Sequence, residues 1–287
     1  MPATLTQLID LLDLEKLDEG LFRGRQPEDT GFIRVFGGQV AAQALMASQL
    51  TVPEERHVHS LHSYFLLGGD LSIPIIYDVE NVRDGGSFTT RRVAARQHGA
   101  IIFYMTVSFQ RVEDGFNHQD EMPDVPAPDE CTPLPDVIRS VNPEAADWWV
   151  KEWSAIDTRL VTTGDDASTQ RLWFRLVEQL PDDRRLRNAV LTYFSDLTLL
   201  GPSLIPHGRV VSSPDVQVAS LDHTIWFHRP AEASQWFLYD QHSPSASRAR
   251  GLAIGRVFAE SGDLVATIAQ EGLIRPVRPA DGPGAAG

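Results

Sequence analysis

The sequence predicts an α+β chain of two tandem units, each an antiparallel sheet wrapped around one central helix. An internal repeat, one apolar helix in each half and long alternating strands after each helix predict it. The repeat is read from "YDVENVRDGGSFTTRRVAARQHGAIIFYMTVSFQ", starting at Tyr77, and "YDQHSPSASRARGLAIGRVFAESGDLVATIAQEGL", starting at Tyr239. Both run Tyr-Asp, a small-residue turn, an Arg-bearing strand, a polar-Gly turn and a long apolar strand. Upstream, "HSLHSYFLLGGD" parallels "LDHTIWFHRPAE", and "FGGQVAAQALMASQL" stands where the second half has "AVLTYFSDLTLL".

The first helix runs from Gly37 to Leu50 in this reading. In the second, Leu186, Ala189, Val190, Tyr193, Phe194, Leu197 and Leu200 follow helical spacing, and Gly201-Pro202 ends it. The strands that follow alternate. In "VQVASLDHTIWFH" a period of two puts Val216, Val218, Ser220 and Trp226 on one face. In "LVATIAQEGLI", Leu264, Ala266, Ile268 and Gln270 share a face, with Thr267 and Glu271 on the other. The expected units are residues 1–115 and 156–287, joined by a linker over 116–155. That linker is Pro-rich and then carries "AADWWVKEWSAID", whose tryptophans are expected to dock on one unit.

Composition narrows the function. A chain of 287 residues can bury a sizeable core without disulfides or metals. Its one cysteine, Cys131, rules out an intramolecular disulfide and fits a reducing compartment. The setting "PAPDECTPLPD" reads as an exposed loop. The N-terminus "MPATLTQLIDLLDLEKLDEGLF" lacks the basic start and long apolar run of a signal peptide. No stretch has the length of a membrane span, and "RPADGPGAAG" at the C-terminus reads as a frayed tail. A cytoplasmic location is the expectation. The net charge of −14 argues against non-specific nucleic-acid binding. An anionic substrate would need a local basic patch.

Asp196 is the unusual residue, set among Val190, Leu191, Phe194, Leu197, Leu199 and Leu200. An unpaired carboxylate is costly beside that much hydrocarbon. It is either a rim group turned to solvent or one drawn to the sheet margin. Ser220 and Gln270, polar groups on apolar strand faces, need partners and favour convergence. The first-half helix, Gly37 to Leu50, holds no Asp or Glu. Only one of two clefts would then carry an acid.

Here the chain resembles the acyl-CoA thioesterase II family, whose members have a double hotdog fold. The stretches that carry the resemblance include "LFRGRQPEDTGFIRVFGGQVAAQAL", "RDGGSFTTRRV", "SDLTLL", "DHTIWFHRP", "SPSASRARG" and "QEGLIR", and it covers nearly the whole chain. It implies hydrolysis of fatty acyl-CoA to free acid and CoA, with no metal or cofactor. It also implies a homo-oligomer, a dimer or tetramer of double hotdogs. The family's catalytic aspartate, Ser/Thr and glutamine fall on Asp196 in "FSDL", Ser220 in "ASLDH" and Gln270 in "AQEG". Ser220 stands where bacterial relatives often have threonine, so the hydroxyl is kept and a methyl lost.

In the expected chemistry Asp196 takes a proton from the attacking water while Ser220 and Gln270 hold that water between them. Gly37 and Gly38 in "VFGGQ" are candidate oxyanion donors at a helix start, or else serve only close packing. Arg91, Arg92, Arg96, Arg248 and Arg250 could meet CoA phosphates, and the favoured reading pairs most of them with the protein's own carboxylates. His57, His59 and His62 lack the Cys or Asp partners of a metal site, so a hydrogen-bonded His59 is the expectation. There is no Gly-x-Ser-x-Gly elbow, phosphate loop, or Asp-His pair of a hydratase. The competing class is a non-catalytic acyl-CoA binding or regulatory module, which would tolerate loss of Asp196.

Overall fold

The computed structural model describes residues 1–162, 168–231 and 235–277; the "RPADGPGAAG" tail lies outside the described residues. The chain begins with α1 (Leu5–Leu12), β1 (Glu15–Asp18), β2 (Leu21–Gly24), α2 (Gly37–Gln49), β3 (His57–Phe65), β4 (Ile75–Asp84), β5 (Phe88–Gln97) and β6 (Ala100–Gln110). A connecting stretch holds β7 (Thr132–Pro133), α3 (Leu134–Val141) and α4 (Pro143–Trp153). Then come β8 (Ile156–Val161), β9 (Thr169–Leu176), α5 (Arg184–Ser195), β10 (Val216–Ser220), β11 (Asp222–Phe227), β12 (Phe237–Ser247), β13 (Arg250–Ala259) and β14 (Leu264–Pro276).

These strands form one antiparallel sheet, in the order β1-β2-β4-β5-β6-β3-β11-β14-β13-β12-β9-β8-β7, with β10 also on β14. The halves join where β3 meets β11, with Leu61 opposite Ile225, both fully buried. This is the expected α+β double hotdog. α2 lies across β4, β5 and β6 and is buried almost all round. A helix enclosed by a sheet needs that pattern, and its small residues Ala41, Ala42, Ala44 and Ala47 let the strands come close. Its buried Gln43 is paired at both ends of the amide: it donates to the Leu11 carbonyl at 2.7 Å and accepts from Tyr77 Oη at 2.7 Å.

Three local expectations are corrected. Strands were expected only after each helix, yet β1, β2, β8 and β9 precede them. β1 is exposed along its whole length, and β9 buries only the adjacent pair Leu172 and Trp173. Neither shows the alternation that marks a strand in sequence. Second, α5 stops at Ser195, short of Leu200, and Asp196 is its C-cap. Leu197 N–H turns to the Phe194 carbonyl at 3.1 Å, and 3-10 turns follow at Gly201–Ser203 and Ile205–His207. The apolar spacing outlasts the helix because Leu199, Leu200 and Leu204 in these turns still enter the core.

Third, Cys131 is buried, packed with Trp173, Trp236 and Phe258. The Pro-rich stretch before it is irregular but fastened to the second half of the sheet. Gln119 donates to the Gly262 carbonyl at 2.8 Å, and the Trp173 indole donates to the Pro126 carbonyl at 2.9 Å. The tryptophan-rich helix docks, but against both halves rather than one: Trp153 is buried against Phe36 and Tyr193 at 5.2 and 6.1 Å between ring centres.

α2 and α5 pack side by side, and Gly38 sets how near they come. A Cβ there would lie 2.3 Å from the Tyr193 carbonyl oxygen and 2.5 Å from the Phe36 ring. A backbone oxygen cannot step aside cheaply. Gly38→Ala is therefore expected to lower stability by about 1–3 kcal/mol, the usual range for overpacking. A urea midpoint left unchanged by the substitution would contradict this packing.

Candidate active site

Three elements bring Asp196, Ser220 and Gln270 together at the join between the halves. Asp196 ends α5, and Gln270 points inward from the middle of β14, fully buried, on the face expected for it. Ser220 arrives by an irregularity. It pairs with Gly272 at the end of β10, while Thr224 on β11 pairs with Ala269. Four steps on one strand thus oppose three on the other, which is a β-bulge. Period-two reading placed Ser220 and Trp226 on one face. The extra residue separates them: Ser220 turns in with His223 and Ile225, while Trp226 turns out and is exposed.

The geometry is direct. Gln270 Nε2 donates to Asp196 Oδ1 at 2.6 Å and to Ser220 Oγ at 2.8 Å. The Ser220 hydroxyl lies 3.4 Å from the same Oδ1. Contacts this short leave no space for water between Gln270 and the carboxylate, a correction to the expected trio spread around one water. Asp196 and Ser220 keep some exposure while Gln270 has none, so the open side of the cluster belongs to the acid and the alcohol.

Burial pushes the Asp196 carboxyl up to about 6 from its ordinary 3.8. The Gln270 side chain, the Gly38 backbone N–H and the Ser220 hydroxyl all oppose that rise. Desolvation wins because most of the acid's water is gone. The carboxylate also sits between two helix ends, the negative end of α5 and the positive end of α2.

Gly37 and Gly38 stand at this site, at the start of α2. A Cβ on Gly37 would fall 2.7 Å from Asp196 Oδ2 and 2.9 Å from the Phe65 ring. The Gly38 N–H faces the carboxylate itself. Both glycines therefore permit close approach, and Gly38 also supplies charge stabilisation to the acid.

Sequence reasoning missed His223. It is fully buried on β11, its Nε2 2.8 Å from Ser195 Oγ, and burial lowers its pKa to about 4. The one available signal was its place beside Ser220 in "ASLDH", and the bulge hid which way it faced.

The arginines follow the plainer expectation. Arg91 is buried and bonded to Asp84 at 2.7 Å, Arg92 pairs with Glu80, Arg96 lies 3.9 Å from Asp78, and Arg250 lies 2.8 Å from Glu271. His59 Nε2 lies 2.8 Å from Ser108 Oγ, the structural bond expected of it. The His62 ring packs edge-on against Trp226.

Residues 26–110 match the family model described as acyl-CoA thioesterase N-terminal domain, and residues 144–273 match that described as acyl-CoA thioesterase. Acyl-CoA thioesterase 2 of Haemophilus influenzae is 40% identical over 284 residues, covering 96% of this chain and 99% of the relative. Human acyl-coenzyme A thioesterase 8 is 39% identical, covering 92% of this chain and 88% of its own. Among solved structures, the acyl-CoA thioesterase II of Mycobacterium marinum superposes with a TM-score of 0.81 at 42% identity, covering 94% and 98% of the two chains.

The raised carboxyl pKa carries a stability consequence. Folded Asp196 holds its proton more tightly than the unfolded chain does. Its contribution to stability is thus fully present below the unfolded value of 3.8 and is lost as pH rises through about 6. Asp196→Asn escapes that loss. The variant is expected to be the more stable protein at about pH 8, by up to about 3 kcal/mol, with the gap closing below about pH 4. Denaturant curves at both pH values check this, and an unchanged or opposite difference contradicts the desolvated acid.

Proposed function

The chain belongs to the acyl-CoA thioesterase II family, and on that premise we propose that Asp196, Ser220 and Gln270 activate the water that cleaves acyl-CoA. The enzyme is a hydrolase of thioester bonds. In the proposed reaction the water lies on the open side of the cluster. Asp196 removes its proton as the water oxygen attacks the thioester carbonyl carbon. Ser220 and Gln270 fix the carboxylate and the water's approach. The carbonyl electrons move to oxygen and return as the C–S bond breaks, releasing fatty acid and the CoA thiolate, which takes up a proton. A thiol of pKa about 8.5 leaves readily near neutral pH.

The carrying observation is the 2.6 Å bond from Gln270 to a carboxylate whose pKa lies near 6. An ordinary aspartate is too weak a base at neutral pH, whereas one tuned upward is a better proton acceptor and is still ionised. Because the Gly38 N–H is turned to Asp196, the proposal assigns the developing oxyanion to the Gly37 N–H and the positive end of α2.

The domain division at 1–115, 116–155 and 156–287, a cytoplasmic location and assembly into dimers or tetramers belong to the same reading. Analytical ultracentrifugation measures the last. No helix among the described residues is long and apolar enough to cross a membrane. The non-catalytic binding module is not favoured, since the relatives that match along the whole chain bear thioesterase names.

Thiol release from a panel of acyl-CoAs tests the reading. Asp196→Asn is expected to lower kcat by about 10²–10⁴-fold, the usual worth of a positioned base, with little change in KM. In the native enzyme kcat/KM should rise with pH through about 6 and then level, following ionisation of Asp196. Unchanged turnover in the variant, or a flat profile across that range, would remove Asp196 from the role of base.

A further inference from the structure

Gln270 can serve Asp196 and Ser220 only with its nitrogen turned toward them. The two ends of an amide are almost equal in shape, so packing alone does not choose between them. Turned the other way, Gln270 Oε1 would face the carboxylate, acceptor against acceptor. Something on the far side of the amide has to hold the oxygen.

His223 lies there: Thr224 pairs with Ala269, which sets His223 on β11 across from Gln270 on β14, and both side chains are fully buried. The His223 Nδ1 and the Gln270 Oε1 are both buried, and neither meets a hydrogen-bond partner among the described residues. We propose that His223 is a positioning residue for hydrolysis: its Nδ1–H holds Gln270 Oε1 and so fixes the amide nitrogen on Asp196 and Ser220.

The tautomer follows from satisfaction of buried groups. Were the proton on Nε2, the Nδ1 lone pair would meet Oε1, two buried acceptors together. A proton on Nδ1 lets the two orphaned atoms satisfy each other, while Nε2 accepts from the Ser195 hydroxyl at 2.8 Å. Ser195 then gives up its alternative bond to the Thr192 carbonyl. With the proposed His223–Gln270 link the chain runs Ser195, His223, Gln270, Asp196, and it closes because Ser195 and Asp196 are neighbours at the end of α5. Its ends are anchored from both halves. Ser63 of β3 donates to the His223 carbonyl at 2.7 Å, and Tyr239 of β12 donates to the Ser195 carbonyl at 2.9 Å.

The role assigned to His223 rests on the catalytic reading of Gln270, so the test has one arm that needs turnover and one that does not. Asn at 223 can place its amide nitrogen where Nδ1 was, whereas Gln reaches only to the Nε2 position. His223→Gln is expected to lower kcat about tenfold with KM almost unchanged, and His223→Asn to recover most of that loss. In a Gln270→Ala background His223→Gln should cost nothing further. The second arm is the side-chain amide signal of Gln270 in ¹⁵N-labelled enzyme, assigned by its absence from Gln270→Ala. It should shift and broaden in His223→Gln and be restored in His223→Asn, whether or not the trio is catalytic.

Melting temperatures identify any variant that merely fails to fold. An unmoved Gln270 signal in folded His223→Gln overturns the proposal. So does a loss of kcat that persists undiminished without Gln270. A moved signal with unchanged kcat would uphold the contact and instead count against Gln270 as part of the chemistry.

Discussion

One carboxylate held half-dry at the meeting of two helices organises this molecule. Asp196 ends α5 and faces the start of α2, so its ionisation state depends on both halves of the chain. Burial drives its pKa up, and Gln270, Gly38 and Ser220 hold that rise to about 6. Much of the local architecture follows from keeping this balance. Gly37 and Gly38 lack side chains because any Cβ would strike the acid, the Phe65 ring or the Tyr193 carbonyl. The β-bulge between Ser220 and Thr224 delivers a hydroxyl that a regular strand would send to the opposite face.

The duplication makes the site asymmetric. β3 shifts register between Val58 and Ser60 much as the strand through Ser220 does, so the backbone device occurs in both halves. The acid does not. Where α5 ends in Asp196, α2 is capped by Leu50. That far end of the helix pair is closed by plain polar contacts, Gln49 to the Arg185 carbonyl at 3.1 Å and Arg185 to the Val52 carbonyl at 3.0 Å. The first half contributes to the Asp196 end through Gly37, Gly38, Phe65 and Ser63. It acts as a wall and a helix dipole, not as a second acid.

Much of this is legible in the sequence alone. Gln270 lies on a strand whose alternation is unbroken, so its inward direction could be read directly, and the apolar company of Asp196 marked it as unusual. Ser220 was found for an incomplete reason, because alternation cannot register an extra residue. The same blindness hid His223, whose inward turn depends on that bulge. The end of α5 was misplaced because Leu199, Leu200 and Leu204 carry the apolar spacing past the last helical turn. β1 and β9 left too little one-sided burial to show, and Cys131 looked exposed because proline-rich composition does not reveal the sheet face beneath it. Local pattern reports which face is apolar, while register and tertiary cover are decided by partners distant in sequence.

The central claim is electrostatic, and a titration reads it most directly. Carbon-13 NMR of the aspartate carboxyls, with the Asp196 signal assigned by its loss in Asp196→Asn, follows that one group as pH changes. The account predicts a midpoint near 6, well above the ordinary 3.8. A midpoint at the ordinary value of 3.8 would mean that the acid is solvated, and the tuned base at the helix junction would have to be abandoned.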